Sequence, residues 1–164
     1  MKTSSPKQSL IPLAFASIVI GFGAASSAQP AEKSTAMPTV SEVWVKPTIP
    51  GASVSAAYMQ IKSATPIKLI KVESSVAGIV EIHDMKMNDG VMEMKALDAV
   101  DVGPGKLVRL APGGMHVMLM KVKKPISKGD KVPLILTFED AGKKHIVVKL
   151  DATARENNAG GHQH

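Results

Sequence analysis

Between Glu42 and Leu150 the sequence breaks into nine short segments that are β-branched or alternate apolar with polar residues, none of them carrying a helical period of useful length. They are Glu42–Lys46, Val54–Ile61, Ile67–Val72, Ile79–His83, Val91–Leu97, Lys106–Leu110, Met115–Val122, Val132–Phe138 and His145–Leu150. Turn signals punctuate them: Pro50-Gly51, Asn88-Asp89-Gly90, Gly103-Pro104-Gly105, Pro112-Gly113-Gly114 and Lys128-Gly129-Asp130. Short strands at this spacing describe a single all-β domain, an antiparallel sandwich or barrel. A chain of 164 residues has room for one such core and little else.

The ends differ from this middle. Lys2 and Lys7 precede an apolar run from Leu10 to Phe22, interrupted only by Ser17, and Ser26-Ser27-Ala28 offers small residues for cleavage. This is the pattern of a secretory signal peptide over residues 1–28, with an apolar run too short to span a bilayer. No cysteine follows the run, which excludes a lipid anchor on that residue. The expected exported product is a monomer without a membrane span: a lead-in over 29–38, a folded domain over 39–151, and a small, polar, disordered tail over 152–164.

Composition then removes whole classes of function. The formal charge of +6 falls to +4 without Lys2 and Lys7, the remaining lysines are scattered, and there is one Trp and one Tyr. Nucleic-acid binders cluster basic residues and interleave aromatics, so no nucleic acid is expected as a partner. With no cysteine at all, thiol catalysis, disulfide exchange and thiolate metal sites are impossible. Methionine is over-represented locally. Seven of the ten lie between Met85 and Met120, and His83 and His116 stand in or beside that interval.

The first half of this interval is a hairpin signal, Asn88-Asp89-Gly90 between alternating residues. A two-residue loop at Asn88-Asp89 makes His83 and Met94 directly opposed, and one at Asp89-Gly90 makes them diagonal neighbours on one face. A three-residue loop separates them unless a bulge restores the parity. In the second half, strand alternation puts His116, Met118 and Met120 on one face and Val117 and Leu119 on the other. A His-x-Met pair, about 7 Å apart at Cα, is a ready chelate. Thioether sulfur is soft and uncharged and imidazole is borderline, a donor set suited to Cu(I) and poorly suited to Zn(II), Ca(II) or Mg(II). Binding then weakens as imidazoles protonate. Taken singly, each Met is a core gap-filler and each His a structural or surface residue; it is the clustering that argues otherwise.

His83, ten residues, Met94, twenty-one residues, then His116-x-Met118 resembles the metal motif of the periplasmic copper chaperones called PCu(A)C proteins. The flanking Val80-Glu-Ile-His83, Asp89-Gly-Val-Met-Glu-Met94, Pro112-Gly-Gly-Met-His-Val-Met-Leu-Met120 and Ala56-Ala-Tyr-Met-Gln-Ile61 are similar as well, so the resemblance covers about residues 40–150. It implies a cupredoxin-like, Greek-key β-sandwich in the periplasm that holds Cu(I) with His83, Met94, His116 and Met118. It also implies delivery to the dinuclear copper centre of cytochrome c oxidase subunit II or to thiol-bearing copper chaperones. Met85 and Met120 are the substitutes should the register differ. Many relatives carry a His- and Met-rich tail associated with Cu(II), for which the counterpart here is His162-Gln163-His164. An incidental polar tail is the competing reading of those residues.

Other readings follow from the same residues. Blue-copper electron transfer requires a cysteine thiolate and fails. A copper enzyme needs an acid, a base or a substrate pocket, whereas Asp84, Asp89 and Glu93 sit on turns and strand surfaces. Copper buffering for resistance uses the same ligands, and a metal-free partner-binding sandwich uses none. His145, beside Lys143 and Lys144, is a structural or surface residue rather than a ligand.

Overall fold

The computed structural model describes residues 37–156, and the elements below belong to its unit of residues 34–164. Among the described residues the chain forms ten strands and no helix. They are β1 (Thr39–Val45), β2 (Val54–Lys62), β3 (Ile67–Glu73), β4 (Ala77–Asn88), β5 (Val91–Leu97), β6 (Val100–Val102), β7 (Leu107–Leu110), β8 (His116–Val122), β9 (Lys131–Asp140) and β10 (His145–Ala154). Every predicted segment is a strand, and β6 is an addition. Its three residues show no alternation long enough to register, but Val100 and Val102 are buried against β3. Among the described residues no helix is long and apolar enough to cross a membrane.

Hydrogen bonding links the strands in the order β5-β4-β8-β2-β1-β10-β9-β3-β6, with β7 on the far part of β2. Three of the eight neighbouring pairs in this order are consecutive in sequence and five are not, as in a Greek key: β8 enters between β4 and β2. One pair departs from the antiparallel expectation, because β1 runs parallel to β10. β1 can bridge in this way because it has a bulge. Its register on β2 shifts between Ser41 and Trp44, with Glu42 at φ 50°, and Trp44 and Val45 then pair with Thr153 and Ala154.

The two halves of this order close on one core. Ala57, Met59 and Ile61 of β2 and Val117 and Leu119 of β8 meet Leu134, Leu136 and Phe138 of β9 and Leu69 of β3, all within 1% of fully buried. Alternation does the sorting. In β8 the odd residues 117 and 119 enter the core, which turns His116, Met118 and Met120 outward.

The boundary placed at Asp151 is corrected. β10 continues through Ala154, with Ala152 and Ala154 buried at 0% and 1%, and the Arg155 N–H donates to the Val45 carbonyl at 2.9 Å. Small residues that read as tail composition are the ones that fit beneath β1. The segment expected to be a signal peptide, most of the expected lead-in and the tail histidines His162 and His164 lie outside the described residues.

Candidate metal centre

The hairpin comes first, since it sets where Met94 stands. Asn88 pairs with Val91, leaving Asp89-Gly90 as the two-residue turn, and both have positive φ, 48° and 81°. That is a type I′ turn, which matches the right-handed twist of the flanking strands and favours an Asp-Gly pair. Of the registers open from sequence this selects the diagonal one. His83 opposes Ala96, and Met94 opposes Met85, one step along the same face.

On its other edge β4 pairs with β8, and His83 falls directly opposite His116. The core fixes this register. The adjacent pair is Ile82 and Val117, buried at 4% and 0%, and a slip of one residue would turn the core residues of the shifted strand outward. His83, Met94, His116 and Met118 therefore share one face of three adjacent strands. Met94, His116, Met118 and Met85 line a cavity of about 310 Å³ whose rim includes Ile49 and Val54. His83 does not line it, but sets its ring edge-on against His116, with centroids 5.9 Å apart and planes at 66°. Met120 pairs with Val54 and Ile79 and does not line the cavity. Between the two substitutes, Met85 is the one beside the ligands.

Hydrogen bonds prepare both imidazoles in the same manner. The His116 Nδ1–H donates to the Gly114 carbonyl at 2.9 Å, which leaves the Nε2 lone pair available. His83 Nε2 lies 2.8 Å from a Glu81 carboxylate oxygen, and a carboxylate only accepts, so Nε2 carries the proton. His83 Nδ1 is then a buried acceptor with no partner. An orphaned buried nitrogen costs about 1–3 kcal/mol unless something binds it. One ring nitrogen tied to an oxygen and the other left open is the arrangement of metal-binding histidines. Two imidazoles on one ion, with bonds of about 2 Å, put their centroids about 5–6 Å apart, and the observed separation fits.

The side chains that share the cavity with His116 include three thioethers, Met85, Met94 and Met118, which match the soft donors of the motif.

Sequence reasoning missed the support behind His116. Trp44 and Tyr58, the single Trp and Tyr of the chain, are paired across β1 and β2 with ring centroids 4.3 Å apart. Tyr58 lies 6.5 Å from His116, and the Arg155 guanidinium covers Trp44 at 5.3 Å. Burial pushes the Tyr58 phenol above its usual pKa of 10.0. In a chain so poor in aromatics, the matching alternation of Trp44 and Tyr58 was the available signal.

His145 lies at the start of β10, where it faces Glu139 at 3.8 Å. Glu139 also binds Lys143 at 2.8 Å, and that hydrogen bond holds its carboxyl below the ordinary range.

Residues 38–150 match the profile described as "Putative lipoprotein LpqE-like". The chain belongs to the LpqE-like family. A relative in Leifsonia xyli subsp. xyli (strain CTCB07), named "Putative lipoprotein Lxx21020", is 32% identical to this LpqE-like chain over 82% of it and 83% of the relative. Among solved structures, the apo PCuAC domain of PmoF2 superposes with a TM-score of 0.60 at 26% identity, covering 76% of this chain and 94% of that domain. The copper-bound PCuAC domain of PmoF2 gives 0.56 at 22% identity, covering 74% and 96%. The LpqE-like chain has the PCuAC fold, as the spaced His and Met residues implied.

Proposed function

We propose that this protein is an extracytoplasmic Cu(I) carrier which holds one ion with His83, Met94, His116 and Met118. One observation carries the reading. Two imidazoles stand on directly opposed strand positions, each with one ring nitrogen tied to an oxygen, at or beside a cavity that Met85, Met94 and Met118 help to line. A likeness in fold to a copper-bound PCuAC domain supports copper as the ion. The neutral soft donors favour the Cu(I) state. The apolar N-terminal run, and a relative whose name includes lipoprotein, support export.

The geometry suits transfer better than storage or chemistry. Met94 lies on the edge strand β5 and is 50% exposed, whereas His116 is 5% exposed. An incoming donor meets Met94 first, displaces its neutral sulfur, and the histidines release the ion last. No charge is stranded at any stage, and the strands need not reorganise. The recipient consistent with the resemblance is the dinuclear copper centre of cytochrome c oxidase or one of its assembly proteins.

The test is an anaerobic Cu(I) titration against a competing chelator, beside a His83→Ala/His116→Ala double variant. Tight one-to-one binding that the variant loses is the expected outcome. Failure of the wild-type protein to hold Cu(I) overturns the assignment in favour of a metal-free partner-binding sandwich.

A further inference from the structure

The β4–β5 hairpin is sorted by chemistry in a way the four-residue site does not require. Counting back from the turn, the directly opposed pairs are Asn88–Val91, Met87–Met92, Lys86–Glu93, Met85–Met94 and Asp84–Lys95. Alternation puts all four methionines on one face and the charged pairs on the other. The charged face makes contacts within itself, with Lys86 3.1 Å from Asp84 and the Asn88 amide donating to Glu93 at 3.5 Å. The methionine face continues from the tip to His83.

The outer methionines have no packing role that accounts for them. Met87 is 65% exposed and Met92 47%, so neither gains much from burial, and strands at a sheet edge more commonly present charge there. What the position does give them is proximity. A two-residue turn makes Asn88 and Val91 the hydrogen-bonded pair, so alternation makes Met87–Met92 and Met85–Met94 the closer, non-hydrogen-bonded pairs. The Met85 N–H agrees, pointing away from β5 to the Gly114 carbonyl at 3.4 Å. Opposed residues have Cβ atoms about 4.5–5.5 Å apart. Two sulfurs on one soft ion at about 2.3 Å each are separated by about 4–4.6 Å, which flexible Met side chains reach without backbone movement.

We infer that Met87 and Met92 form an outer thioether site for a soft monovalent cation, the point at which the ion boards or leaves the inner site. The site itself follows from the hairpin, and the boarding role rests on reading the inner site as a Cu(I) carrier. Met94 belongs to the inner site, and its pair with Met85 lies one step of about 7 Å along the strands from Met87–Met92. An ion can thus pass inward by exchanging one thioether for the next, with no bond to a charged group.

The test uses Ag(I), a redox-inert analogue of Cu(I), on the protein labelled with 13C at the methionine methyl groups. The first equivalent shifts the Met94 and Met118 methyls, and ion beyond one equivalent shifts those of Met87 and Met92 together. The Met87 and Met92 shift persists in His83→Ala/His116→Ala, and uptake of ion beyond one equivalent is lost in Met87→Leu/Met92→Leu, which keeps the apolar volume. Met87 and Met92 methyls that stay unmoved, or a second step that survives in the leucine variant, overturn the outer site. Silence of Met94 and Met118 at the first equivalent counts against the inner site, so the two failures are distinguishable. For boarding, the leucine variant hands Cu(I) to a chelator several-fold more slowly at unchanged equilibrium affinity; transfer at the wild-type rate refutes that role.

Discussion

Removing the Glu81 carboxylate tests whether the hydrogen bond to His83 prepares the imidazole for a metal. The contact is 2.8 Å, and it forces the proton onto Nε2 so that the buried Nδ1 presents its lone pair. Without it either tautomer is open and the ring can rotate. Loss of such an outer partner costs about 10–100-fold in metal affinity. The Glu81 side chain is 47% exposed and therefore partly screened, so the lower end applies. Glu81→Ala is expected to weaken Cu(I) binding about tenfold, or about 1.4 kcal/mol. Glu81→Gln keeps a neutral acceptor and falls between the two. Folding stability of the metal-free protein changes by less than about 0.5 kcal/mol, because Glu81 is a half-exposed surface residue. Chelator competition measures the affinities and thermal unfolding of the apo form measures stability. Unchanged affinity in Glu81→Ala refutes the argument, since His83 would then bind equally well unguided. A large loss of apo stability refutes it differently, by making the contact structural.

Two further expectations concern the scaffold. Leu119→Ala, fully buried between the outward Met118 and Met120, costs about 3 kcal/mol by denaturant unfolding, while the one-to-one Cu(I) stoichiometry is retained because the outward face of β8 is untouched. Tyr58, the single tyrosine, can be titrated by ultraviolet absorbance without interference from another phenol. Its folded pKa is raised above 10.0, so the native state keeps a proton that the unfolded chain releases. Stability is accordingly unaffected below that pH and declines as pH rises through the interval between the two values. An ordinary phenol midpoint in the folded protein contradicts this burial.

Some of the site was legible because it is local. Alternation within Met115–Met120 fixes that His116 and Met118 face away from Val117 and Leu119 whatever the neighbours are. Asp89-Gly90 could be nominated as a turn because Gly takes positive φ freely and Asp tolerates it. The strand segments were likewise carried by β-branched alternation. β6 and the end of β10 were not, since three residues show no period and alanines carry no strand signal until something packs on them.

What sequence by itself determined is the chemistry: soft neutral donors, no thiolate, and two His and two Met on faces that strand periodicity assigns. Tertiary structure decided how those donors meet. The pairing of His83 with His116 joins strands distant in the chain, and its register is set by Ile82 and Val117 in the core rather than by any residue of the site. The Trp44–Tyr58 stack behind His116 arises the same way. The hairpin register and the tethers from Glu81 and Gly114 are local in sequence, but only the folded geometry shows which turn and which oxygen are used. Periodicity along one strand assigns a side chain to a face but carries no information about which strand lies beside it.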